Sequence, residues 1–226
     1  MPRGPRALIF DFDGVIADDE PLHLRAFQQA LAAVGIALGE DDYYARYLGF
    51  DDHDAIVEAL REAGRTPDDA TVDALMAAKA AHFLALVRDG VRIFPGVPAF
   101  VRGAAARVPL AIGSGALRRE IALILAHAGL TAAFGPIVSA EDVRDGKPSP
   151  ETFLRALDLL RDTTPGLAAA ECLVVEDSHA GIEAARRAGM RCLAVTNSYP
   201  AAELGAADLV VASLEDVDWE RLEALF

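Results

Sequence analysis

Six short apolar runs constrain this chain more than anything else in it: ALIF (7–10), VPLAIG (108–113), PIVSA (136–140), CLVVE (172–176), CLAV (192–195) and LVVAS (209–213). Each is continuous rather than alternating, the pattern of a strand covered on both faces. Between the later runs lie stretches of helical period: ALRREIALILAHAGL with a glycine near its end, SPETFLRALDLLRD with a proline inside its first turn, and SHAGIEAARRAGM with a serine placed as N-cap. Strand and helix in repeated alternation give an α/β fold, a Rossmann-like parallel sheet with helices on both sides.

The alternation fails once. From Pro21 to Gly90 the sequence is helical in period, as in PLHLRAFQQALAAVG, DDHDAIVEALREAG and DDATVDALMAAKAAHFLALVRDG. So long a helical segment after the first strand predicts an inserted cap: residues 17–93 as a helical cap, and residues 1–16 with 94–226 as the α/β catalytic core. With 226 residues, 53% of them hydrophobic, the chain can fill such a core.

Composition removes several function classes. A formal charge of −14 and the lack of any Lys/Arg cluster exclude nucleic acid as the expected partner. The apolar runs are strand-sized, so no membrane span is expected. The start MPRGPRALIF has no apolar h-region before Asp11, which argues against a secretory signal and makes the cytoplasm the expected compartment. Cys172 and Cys192 each open an apolar run and read as buried reduced thiols. Nothing in the pattern points to a particular oligomer.

The polar residues fall where such a fold needs them. Asp11 and Asp13 follow the first run, Ser114 the second, Lys147 the loop after the third, and Glu176 with Asp177 the fourth. In an open parallel sheet the carboxyl ends of the strands form the ligand crevice, so four strands deliver reactive groups to one edge. Aspartate before glycine is also common turn chemistry, and GSG at 113–115 is a turn as often as a phosphate cradle. At a strand period of two, however, Asp11 and Asp13 leave on one side, where they repel unless a cation lies between them. Glu176 and Asp177 add to that charge, which makes a hard divalent cation with oxygen ligands the economical answer, and Mg²⁺ suits a site that also holds phosphate. An EF-hand loop would want Asp or Asn where Val15 stands. Gly14 lets the chain turn away beside the substrate, Ser114, Gly115 and nearby N–H groups can receive an anion, and Lys147 can balance the carboxylates and grip a phosphate. Such a set suits phosphoryl transfer. Asp11 would attack phosphorus, and Asp13 would protonate the leaving oxygen and later deprotonate water.

DFDGV, the serine after a strand, GKPSPE and VVEDSHAGIEAA resemble, in order, the four motifs of the haloacid dehalogenase superfamily, over almost the whole chain. The helical insertion resembles its small-capped branch, which includes phosphoglycolate phosphatases, sugar-phosphate phosphatases and β-phosphoglucomutases. The resemblance implies that Asp11 is nucleophile and metal ligand, that Asp13 is acid/base and ligates through its carbonyl, and that Asp177 ligates Mg²⁺ with Glu176 in support. It also implies that Ser114 and Lys147 hold the phosphate. A second acid at Asp13 separates the chain from the dehalogenases, which attack carbon.

Within the cap, His23 and Lys79 match positions where β-phosphoglucomutases carry a histidine and a lysine coupled to acid/base chemistry, and a structural role for His23 is the alternative. Against a mutase, Asp52 in LGFDDHDAI stands where that pattern places an arginine for a distal phosphate, and Asp19 replaces a small hydroxyl residue. A carboxylate repels a phosphodianion, although Arg46 or His53 could compensate. Asp18, Asp19 and Glu20 otherwise read as a solvated entry to the first cap helix. The sequence therefore predicts a Mg²⁺-dependent phosphatase acting on a small phosphorylated metabolite, phosphoglycolate or a sugar phosphate. A sugar-phosphate mutase is the alternative, and a non-catalytic binding protein that keeps the fold comes third.

Overall fold

A computed structural model describes residues 4–47 and 50–226. Met1 to Arg3, part of the start weighed against a signal, and Leu48 and Gly49 of LGFDDHDAI lie outside the described residues. In chain order, β1 (Ala7–Phe10) and β2 (Ala17–Asp18) precede four helices, α1 (Glu20–Ala32), α2 (Glu40–Arg46), α3 (Asp52–Glu62) and α4 (Asp69–Asp89). The chain continues through β3 (Arg92–Ile93), α5 (Val97–Ala105), β4 (Leu110–Gly113), α6 (Arg118–Ala128), β5 (Ile137–Val138) and α7 (Glu151–Leu160). It ends with β6 (Cys172–Glu176), α8 (His179–Arg187), β7 (Arg191–Val195), β8 (Leu209–Val211) and α9 (Trp219–Glu223). Two compact units result, one of residues 1–18 and 92–226 and the other of residues 19–91.

The larger unit is built on a six-stranded parallel sheet in the order β5-β4-β1-β6-β7-β8. β1 is central, with Leu8 opposite Leu110 on one side and Leu173 on the other. All four of its residues are fully buried because both faces are covered. Ala7 and Ile9 pack into a core with Phe153 of α7 and Ile182 of α8. Phe10 points the other way and meets Phe100 of α5 and Phe134 edge-on, at ring-centroid distances of 6.1 and 5.5 Å. Ser178 caps α8 through a bond from the Gly181 N–H, and Gly129 ends α6 in the left-handed conformation.

Two segments depart from what their sequences predict. PIVSA is a strand only at Ile137–Val138, since the Asp142 carboxylate takes both the N–H and the hydroxyl of Ser139 and starts a 3₁₀ turn. Pro150 is the N-cap of α7 rather than a residue of its first turn. The short antiparallel pair, Ala17 opposite Ile93 and Asp18 opposite Arg92, has no counterpart in the sequence reading.

The smaller unit is helical. α1 and α3 pack against α4, and Leu24, Phe27 and Leu31 of α1 join Ile56, Leu60, Val72 and Leu75 in one core. Asp51 and Asp68 cap α3 and α4 by accepting the N–H of Asp54 (2.8 Å) and Thr71 (2.9 Å). By length and composition α4 could cross a membrane, with mean hydropathy 1.4 over an 18-residue window, longer than any run the sequence reading recognised. Its Val72, Leu75, Lys79, Ala80, Phe83 and Val87 are buried.

Asp18 and Asp19 are not the solvated entry acids expected. Asp18 pairs with Arg92 across the two-strand ladder, and Asp19 is buried with Oδ2 3.8 Å from Nε2 of His23.

Candidate active site

Because the six strands run parallel, the residues that follow them collect at one edge. β1 ends in Asp11, whose N–H bonds the Val175 carbonyl of β6 at 2.9 Å. The chain then folds on itself, the Phe12 carbonyl accepting from the N–H of Ile16 (2.8 Å) and Ala17 (3.1 Å). Gly14 has φ +75°, and a Cβ there would lie 2.0 Å from Oδ2 of Asp177. Glycine is thus required twice, by the backbone and by the carboxylate beside it.

Asp11, Glu176 and Asp177 are all buried, with one carboxylate oxygen of each within 4.8 Å of the others. Lys147 Nζ lies 2.7 Å from Asp11 and 2.6 Å from Glu176, and 4.9 Å from the ring centre of Phe153. Glu176 is fully engaged: Oε1 accepts from Lys147, and Oε2 from the N–H of Asp177 and Ser178 (2.8 Å each) and the Ser178 hydroxyl (2.9 Å). Its carboxylate thereby sits on the N-terminus of α8. A Cβ at Gly181 would come within 1.6 Å of Oε1, so the first turn of α8 must carry glycine for this carboxylate to fit.

The electrostatics follow from three buried carboxylates and one ammonium. Burial pushes Asp11 up to about 6, against the pull of Lys147 and with the push of Glu176. Burial, then Glu176 and Asp11, drive Asp177 well above the carboxylate range. Burial also opposes ionisation of Glu176, but the charge and hydrogen bond of Lys147 and the α8 N–H groups bring it below its ordinary value. Lys147 is likewise opposed by burial, yet Asp11 and Glu176 raise it above the usual lysine range. With all four ionised the cluster has an excess of two negative charges, which one divalent cation cancels. The donors are all oxygen, and buried carboxylates held above their usual range lack positive charge, so the residues fit Mg²⁺.

Ser114 is buried at the end of β4, its N–H on the Val138 carbonyl and its hydroxyl accepting from the Ala116 N–H at 3.0 Å. Gly115 is exposed, with no atom within 4 Å of where a Cβ would be. Asp13 is half-buried beyond the turn, and its side chain is not one of the three clustered carboxylates. Cys172 and Cys192 are free buried thiols, the first pushed up to about 12 chiefly by burial.

In the helical unit, Lys79 is 1% exposed and donates to Asp52 Oδ1 at 2.6 Å and His23 Nδ1 at 2.8 Å, between the rings of Phe27 and Phe83. Because Nδ1 accepts, the imidazole proton is on Nε2. Burial and the Lys79 charge hold His23 well below the usual imidazole range. Arg46 is committed to Asp42 and Glu62, and His53 faces Asp54.

Three contacts escaped the sequence reading. Besides Gly181, Asn197 donates to the Gly14 carbonyl at 2.7 Å, and the Ser198 hydroxyl donates to Oδ2 of Asp177. Both follow β7, so the rule that collected the other residues, extended to the CLAV run, would have found them.

Residues 8–195 match the family described as haloacid dehalogenase-like hydrolases. Protein CbbY of Rhodobacter capsulatus is 33% identical over 201 residues, covering 86% of each chain. The fructose-1-phosphate phosphatase YqaB of Escherichia coli K12 is 33% identical over 183 residues, 81% of this chain and 92% of that one. The crystal structure of β-phosphoglucomutase from Clostridium difficile superimposes with a TM-score of 0.85 over 98% of this chain and 96% of the other, and at 23% identity it shares the fold.

Proposed function

Since this chain belongs to the haloacid dehalogenase-like hydrolase family, we propose that it is a Mg²⁺-dependent phosphatase that hydrolyses a small phosphorylated metabolite through an aspartyl-phosphate intermediate. The observation that carries the reading is the buried set of Asp11, Glu176 and Asp177 around Lys147, which is short of positive charge by two when every group is ionised. A set balanced by its own side chains would suit a structural ion-pair cluster; this one calls for a divalent cation. Asp11, Asp177 and the Asp13 carbonyl would hold Mg²⁺, backed by Glu176. When bound it supplies positive charge to the transferring group.

In the reaction, a carboxylate oxygen of Asp11 attacks phosphorus, and a new O–P bond forms as the bond to the leaving oxygen breaks. Asp13 gives its proton to that oxygen, then takes one from water as the water oxygen attacks the same phosphorus. The Asp11 O–P bond breaks, and inorganic phosphate leaves. Lys147 would neutralise charge on the phosphoryl oxygens, while Ser114 and the N–H groups around Gly115 would orient them. Gly14 keeps the turn clear of Asp177.

We place a sugar monophosphate first among substrates, because a fructose-1-phosphate phosphatase is a relative over most of both chains. Reading the chain as a mutase would ask the helical unit for a cation directed at a second phosphate, whereas Lys79 is ion-paired with Asp52. A panel of phosphorylated metabolites assayed for phosphate release with Mg²⁺ tests the proposal. Release should stop in EDTA and fall by several orders of magnitude in Asp11→Asn. Release that persists in EDTA, or full turnover by Asp11→Asn, would refute it.

A further inference from the structure

We infer that Asn197 and Ser198 are positioning residues for the cation site, Ser198 fixing the carboxylate of Asp177 and Asn197 fixing the Gly14 turn against it. The inference rests on the cation reading above. Gly14, Asp177 and Ser198 meet at one point: a Cβ on Gly14 would lie 2.0 Å from Asp177 Oδ2 and 3.1 Å from Ser198 Oγ. The Ser198 hydroxyl donates to that oxygen, and the neighbouring Asn197 amide donates to the Gly14 carbonyl at 2.7 Å. Two consecutive side chains thus join the loop after β7 to the loops after β1 and β6.

That loop is itself anchored. At its root the Thr196 N–H bonds the Val211 carbonyl of β8 at 3.0 Å. Further along, the Tyr199 ring lies 4.4 Å from that of His179, whose Nε2 is 3.5 Å from Glu203. His179 opens α8, the helix whose first turn cradles Glu176. Ser198 is therefore tied both to the sheet and to the helix that organise the carboxylates it serves. A ligating carboxylate has torsional freedom about its own side chain, and a hydroxyl donor to one oxygen removes it. Outer-shell partners of this kind typically contribute ten- to hundredfold in metal affinity.

Mn²⁺ is a suitable probe, because the free ion can be counted by electron paramagnetic resonance with the full-length protein and no substrate. Wild type should bind it and D177N should not. S198A should bind about ten- to hundredfold more weakly, N197A should also weaken, and S198T, which keeps the hydroxyl, should recover wild-type affinity. Unfolding midpoints in EDTA should be the same for wild type, S198A and S198T. If S198A binds Mn²⁺ as tightly as wild type while D177N does not bind, the positioning role is wrong. It is equally wrong if S198A and S198T lose affinity together with a lower EDTA midpoint, which would mean that the loop had merely unpacked. If wild type fails to bind, or D177N binds like wild type, the cation reading falls and takes this inference with it.

Discussion

Gly103 and Gly181 both lie in helices, and they make opposite predictions. In the interior of α5, a Cβ on Gly103 would meet nothing within 4 Å. Gly103→Ala should therefore gain about 0.5–1 kcal/mol, the usual difference between these residues in a helix. At Gly181 the same methyl would stand 1.6 Å from Glu176 Oε1, and the carboxylate would have to leave its bonds to Lys147 and the α8 N-terminus. Gly181→Ala should cost about 2 kcal/mol or more, since those bonds are charge-assisted. Thermal midpoints in EDTA would read both signs, and a stabilised Gly181→Ala would contradict the contact. The acids were legible in the sequence because each follows an apolar run. Gly181 was not, because glycine near a serine cap looks like ordinary helix-start chemistry until the side chain packed against it is known.

Among the elements, α1, α3, α4, α6, α7 and α8 were legible from their period, whereas α5 and α9 were not, nor were the contacts along α4. Lys79 stands out in the sequence, with His23, only through the family resemblance; in the fold it is the buried centre of a chain from Asp52 through His23, whose ring stacks 4.1 Å from Phe83 and whose Nε2 faces Asp19. Asp52→Ala would leave the ammonium buried without its carboxylate and should cost about 3 kcal/mol, read from chemical unfolding. A pH effect follows from the same contacts. His23 has its folded pKa depressed by burial and by Lys79, so the unfolded chain binds a proton there that the folded one refuses. His23 should therefore withdraw stability as pH drops below about 6.5, read as the difference between wild type and His23→Gln, because the raised Asp11 and Asp177 act in the opposite sense over the same range. Lys79→Met removes the repelling charge and leaves the Asp19 carboxyl 3.8 Å from Nε2. The His23 Cε1–H signal should then titrate at higher pH than in wild type, and an unmoved titration would show that Lys79 does not set it.

For the molecule as a whole, the runs and the residues behind them showed that four strands deliver chemistry to one edge. They did not show that β1 lies between β4 and β6, which puts Asp11 beside both Ser114 and Asp177, because strand order depends on how the crossovers pack and leaves no local period. The pairing of β2 with β3 was hidden for a related reason: two residues on each side give no alternation to read. That pairing makes a prediction of its own. Asp18 and Arg92 are directly opposite in an antiparallel ladder, so a two-residue Asn-Gly link between them, replacing residues 19–91, should close as a hairpin and leave the parallel sheet folded. Circular dichroism and Mn²⁺ binding by the shortened chain would check it. A chain that does not fold would show that the helical segment supports the sheet.

Seen this way, β2 and β3 work as a socket. To the sheet, the helical unit is the loop of a hairpin whose two feet are held at a fixed spacing, and the cost of closing a loop rises only with the logarithm of its length. The sheet is therefore nearly indifferent to what the socket carries. Segments of other length and sequence can stand between the feet while the strand ends that bear Asp11 and Asp177 keep their register.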